Sequence, residues 1–155
     1  MQAEAGGKRV VVGIDGSPAS YAALRWAVDY ARMAGAGVEA VAAYDVAGGI
    51  GWSAPAVDAA LDAEEARRKL GAEIRDVLGT LHDVPVEEHM VRGNAVEALI
   101  TASEGAELLV VGNRGRGGFA RLLLGSVSQQ CALHASCPVV ILRAPEDGRD
   151  AAAKA

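Results

Sequence analysis

Five short apolar runs alternate with longer stretches in which apolar side chains recur every three to four positions. Val10-Val11-Val12-Gly13-Ile14 is continuous rather than alternating, the pattern of a strand covered on both faces. Asp15-Gly16-Ser17-Pro18 then turns the chain, and Ser17 can cap a helix whose first residue is Pro18. Ala22, Ala23, Trp26, Ala27, Tyr30 and Ala31 fall at helical spacing, and Gly35 and Gly37 are expected to end that helix. Val38 to Tyr44 reads as a second strand. Residues 45–55, with Gly48, Gly49, Gly51, Trp52 and Pro55, read as a loop.

A long helix is expected over Ala56 to Leu81, with Val57, Leu61, Leu70, Ile74, Val77, Leu78 and Leu81 as its apolar stripe. Val84 to Val91 alternates as a third strand. Asn94 with Glu97 forms a capping-box pattern at the next helix, and Glu107 to Gly112 is a fourth strand. Ser126 with Gln129 makes a second such box, starting a helix that runs to about Ala135, and Pro138 to Arg143 is a fifth strand. Strands alternating with helices imply an α/β fold: a single doubly wound, five-stranded parallel sheet with helices on both faces. Residues 1–7 and 144–155 are expected to be flexible ends around a domain over 8–143. Ligands of such sheets bind beyond the carboxyl ends of the strands, where strand order reverses.

Composition narrows the function classes. The chain has 155 residues, enough for one domain with a sizeable core. Hydrophobic residues make up 51%, but alanine supplies 32 positions and aromatics only 4%, favouring closely packed helices. A net charge of -5 argues against nucleic acid as a partner of the whole surface. No apolar run is long enough for a membrane span and no leader pattern is seen, so a cytoplasmic protein is expected. Cys131 and Cys137 lack zinc-site spacing and read as small core residues. His82, His89 and His134 are scattered without ligand spacing.

The segment from Gly112 to Ser126 carries the chemistry. It leaves a buried strand, contains Gly112, Gly115, Gly117, Gly118 and Gly125, and ends at a helix start. Glycines let a ligand approach main-chain amides, and successive amides with a helix N-terminus attract an anion. Arg114, Arg116 and Arg121 add positive charge to an acidic protein, and Ser126 adds a hydroxyl. Polyphosphate fits this chemistry better than an uncharged ligand. No Walker A motif occurs.

Gly112-x2-Gly115-x9-Gly125-Ser126 resembles the ATP-binding signature of universal stress proteins. The resemblance extends to Val11-Val12-Gly13-Ile14-Asp15-Gly16-Ser17 and to Cys137-Pro138-Val139-Val140. It implies an ATP-binding, usually homodimeric, stress-related cytoplasmic protein with weak or no ATPase activity. It nominates Asp15, Gly16, Ser17, Val41, Ala43, Gly93, Gly112, Asn113, Arg114, Gly115, Arg116, Gly125, Ser126, Val127 and Ser128 as nucleotide contacts. Asp15 would in addition ligate hydrated Mg²⁺ beside the phosphates; a turn-capping role is its alternative. Val41 or Ala43 would line the adenine slot. Val139 to Leu142, an apolar edge strand, would join a homodimer. AMP, ADP or a cyclic nucleotide could replace ATP. The alternative activity is that of an adenine-nucleotide α-hydrolase, although the usual Ser-Gly-Gly-x-Asp type of loop is absent after the first strand. A phospho-acceptor receiver would need an aspartate ending strand three and a lysine ending strand five, which Val91-Arg92 and Leu142-Arg143 do not supply.

Overall fold

The computed structural model describes residues 7–44, 59–79, 83–114 and 124–144. Nine elements follow one another among them: β1 Arg9–Gly13, α1 Pro18–Ala34, β2 Gly37–Tyr44, α2 Ala59–Leu78, β3 Val86–Arg92, α3 Ala95–Ala102, β4 Leu108–Gly112, α4 Ser126–His134 and β5 Val139–Leu142. All four strand pairings are parallel, and the order across the sheet is β3-β2-β1-β4-β5. The order reverses between β1 and β4, where Val10, Val11 and Val12 pair with Leu108, Leu109 and Val110. The carboxyl ends of these two strands therefore form the crevice in which such sheets take ligands.

Alternate residues of β1 serve two cores. Val10, Val12 and Ile14 pack with Ala23, Leu24, Ala27 and Val28 of α1 and with Leu70 and Ile74 of α2. Val11 packs on the other face with Val41, Leu99, Leu109, Val111 and Cys131. Val10, Val11 and Val12 are each fully buried, and burying such a side chain stabilises by about 1.5–3 kcal/mol. This double coverage is the reason the run is continuously apolar. Cys131 is also fully buried, and burial pushes its thiol up to about 11. Cys137 is half-buried and both cysteines are free.

The element limits differ from the sequence expectation chiefly at three places. Gly35, with φ 70, is the left-handed cap that ends α1, whereas Gly37 already belongs to β2. Gly79, with φ 66, ends α2 at Leu78 and donates to the Arg75 carbonyl at 2.8 Å, so the helix stops short of Leu81. Residues 56–58 and 80–82, including His82, lie outside the described residues, as do Trp52 and the rest of 45–58. β3 begins at Val86 rather than Val84, since Pro85 has no N–H to give to a ladder. The expected ends at 1–6 and 145–155 lie outside the described residues.

Candidate functional site

Two helices start at the switch point, one after each central strand. The first is closed by its own sequence. Asp15 Oδ1 accepts from the Ser17 amide at 2.9 Å, and Gly16 between them takes φ 84. Ser17 is the N-cap of α1, with φ -82 and ψ 156, and its hydroxyl oxygen accepts from the Ser20 amide at 3.1 Å. The Ser20 hydroxyl donates to the Ser17 carbonyl at 2.9 Å. Asp15 thus shapes the turn through one carboxylate oxygen, and Ser17 is a buried cap.

The second helix is built differently. The Asn113 amide donates to the Leu142 carbonyl at 2.7 Å, holding the exit of β4 against β5. The Asn113 carbonyl accepts from the Gly125 amide at 2.6 Å. The Ser128 hydroxyl lies 3.1 Å from that same carbonyl and 3.0 Å from the Gly125 carbonyl. The two ends of the glycine-rich segment are thus joined at its base, and Ser128 is buried within the joint. Gly125, not Ser126, is the N-cap of α4, with φ -81 and ψ 177 and no side-chain cap bond. Ser126 is the first helical residue and is exposed. The expected Ser126–Gln129 capping box is not formed: Gln129 Nε2 donates to the Leu124 carbonyl at 3.1 Å instead. The tie from Gly125 to Asn113 fixes the extended residue one position earlier than the pattern implies.

Gly112 has a packing duty. A Cβ built on it would lie 2.6 Å from the Ala19 Cβ and 2.8 Å from the Ala19 carbonyl carbon. The start of α1 thus rests directly on the end of β4, and only glycine admits that approach. Gly115 and Arg116 lie outside the described residues, as does Arg121.

Of the other nominated residues, Val41 and Gly93 border a second feature, a groove of about 360 Å³ between β2, β3 and α3, and Ala43, Arg114 and Val127 do not line it. Val41, Gly93, Asn94, Glu97, Ala98 and Thr101 are among its lining residues. Val41 is buried, and its carbonyl accepts from the Ile14 amide at 2.9 Å, tying the end of β1 to β2. Gly93 has φ 126 and donates to the Tyr44 carbonyl at 2.7 Å. Asn94 caps α3 by accepting from the Glu97 amide at 3.0 Å. Ala43 is half-buried and pairs with Val91 across the strands. Val127 packs partly against the core beneath α4. Sequence reasoning missed the α3 wall, although Ala98 and Thr101 share a helix face with Asn94 by spacing.

The universal stress protein family profile matches residues 7–143. This chain is a universal stress protein. It is 35% identical over 141 residues to a universal stress protein of Mycolicibacterium smegmatis, covering 86% of this chain and 47% of that one. It thus spans about half the length of the curated relatives it matches. Among solved structures, universal stress protein UspA from Lactobacillus plantarum superposes with a TM-score of 0.71 at 25% identity, over 90% of this chain and 100% of that one. A universal stress protein in complex with cAMP superposes with a TM-score of 0.61 at 29% identity, over 90% and 99%. Against this family background, the α/β architecture read from the apolar pattern stands. Among the described residues of this universal stress protein, no helix is long and apolar enough to cross a membrane.

Proposed function

We propose that this universal stress protein binds an adenine nucleotide, ATP with Mg²⁺, at the β1/β4 switch point. It acts as a cytoplasmic nucleotide-responsive stress module with weak or no hydrolysis of its own. The observation that supports this reading is the start of α4: a helix N-terminus at the end of a central strand, capped by glycine and by no side chain. Helix N-termini leave amides without intrahelical partners and carry partial positive charge, which suits phosphate. The neighbour in complex with cAMP agrees with an adenine ligand.

In this reading Ser126, Val127 and Ser128 offer main-chain amides to phosphate, and the segment over 114–124 supplies glycines and arginines around it. Val41 and Gly93 edge the adenine slot in the α3 groove. A part-buried carboxylate at Asp15 suits hydrated Mg²⁺, with Oδ1 accepting from the Ser17 amide and Oδ2 left as the donor to the ion. The ion would screen the phosphates from that carboxylate. The homodimer would join through β5, an edge strand whose Val139, Val140, Ile141 and Leu142 are all half-buried.

Thermal melting with ATP and Mg²⁺ tests the reading. A ligand selective for the native state adds about 2.7 kcal/mol at a hundredfold excess over Kd, so the melting temperature rises. Gly115→Glu abolishes the rise while leaving the apo melting temperature within about 2 °C, because the charge and side chain obstruct phosphate rather than the core. No rise in the unmodified protein, or an undiminished rise in folded Gly115→Glu, overturns the assignment. Light scattering that finds a monomer at micromolar concentration overturns the dimer.

A further inference from the structure

One of the histidines, His89, acquires a partner set that sequence spacing alone does not show. Parallel pairing puts Glu39 of β2 directly beside Glu87 of β3, and Val41 beside His89. Glu39, Glu87 and His89 therefore rise from one face of the sheet. One ligand atom from each lies within 4.8 Å of the others. Among the described residues, no other trio of His, Cys, Asp and Glu meets that distance. We propose that Glu39, Glu87 and His89 form a binding site for one divalent transition-metal ion of the zinc class, which needs no nucleotide to bind.

The geometry is near what such an ion requires. Metal–ligand bonds of about 2.0–2.2 Å in tetrahedral array set donors about 3.4 Å apart. His89 Nε2 and Glu87 Oε1 are already 3.2 Å apart. Both side chains are about half exposed, so torsional changes at the surface bring in the third donor without moving the core. One imidazole with two carboxylates suits zinc, cobalt, nickel or copper rather than magnesium, which prefers oxygen alone. The remaining coordination positions are left to water.

The charge balance points the same way. Carboxylates directly opposite on neighbouring strands repel. Arg9 relieves part of this by contacting Glu39 Oε1 at 3.2 Å. Yet the Arg9 guanidinium also donates to the Ala102 carbonyl at 2.9 Å and the Glu104 carbonyl at 2.6 Å. Those two bonds hold it at the end of α3 whether or not Glu39 stays with it. Glu39 can therefore turn to a metal ion without leaving a bare guanidinium. Glu39 and His89 also line the α3 groove, so an ion here would sit on its floor.

Titration calorimetry of the full chain, stripped with EDTA and free of nucleotide, tests this with ZnCl₂. The expected result is one Zn²⁺ per chain, with no heat from MgCl₂. His89→Ala and Glu87→Gln should each weaken zinc at least about tenfold, while Cys137→Ser leaves it unchanged. Circular dichroism and melting confirm that these surface variants stay folded. The proposal is overturned if the unmodified protein takes up no zinc below about 100 micromolar. It is equally overturned if His89→Ala and Glu87→Gln bind as the parent does, or if Cys137→Ser abolishes uptake. Because no nucleotide is present, failure here leaves the nucleotide reading untouched, and the converse holds.

Discussion

The starts of α1 and α4 lie at the ends of neighbouring central strands, yet they are finished in opposite ways. At α1 the orphan amides are answered from within: Asp15 takes the Ser17 amide and Ser17 takes the Ser20 amide. At α4 the side chains brace the loop ends and leave the cap to Gly125. A helix start that is satisfied by its own side chains contributes stability. One that is braced but uncapped keeps its amides for something else. The two ends of this crevice therefore divide the labour, α1 fixing the frame and α4 offering the anion site.

Four substitutions and one rescue break or sharpen that comparison, and they run from large effects to small. Gly112→Ala forces a methyl into the first turn of α1 and should destabilise by about 3 kcal/mol, read as a fall in the denaturation midpoint. Part of the obstacle is Ala19 backbone, so Ala19→Gly should rescue only partly. Ser128→Ala leaves the Asn113 and Gly125 carbonyls one donor short and should cost about 1–2 kcal/mol. It should also weaken ATP, because the loop base is then held by the Gly125–Asn113 bond without the Ser128 brace. Ser17→Ala removes a true cap and should cost about 1 kcal/mol, with ATP affinity unchanged in calorimetry. Ser126→Ala should change stability by less than about 0.5 kcal/mol, since Ser126 is exposed and caps nothing. Its signature is a loss of ATP affinity alone, because the hydroxyl supplements the main-chain amide at the phosphate and the substitution removes only the hydroxyl. If Ser17→Ala weakens ATP more than Ser126→Ala does, the division of labour is reversed.

The comparison also marks how far the residues spoke for themselves. β1 was legible because burial on both faces demands Val10-Val11-Val12, and no other element tolerates that run so briefly between turns. The Ser17 cap was legible because its partner is three residues away. Gly125 was not, since Ser-x-x-Gln describes a plausible cap at Ser126 and the deciding bond comes from Asn113. The reason for Gly112 was hidden for the same cause: its constraint is Ala19, across the crossover. Glu39, Glu87 and His89 were invisible as a group, because strand register alone brings them together. Local chemistry could be read from neighbours in sequence, and chemistry made by pairing could not.

The sharpest test follows individual amides during addition of ATP and Mg²⁺ to isotope-labelled protein by nuclear magnetic resonance. The account predicts saturable shifts at the Ser126, Val127 and Ser128 amides, with those of Ala19, Ser20 and Tyr21 little moved. Shifts concentrated at the start of α1, with the first turn of α4 silent, would contradict it.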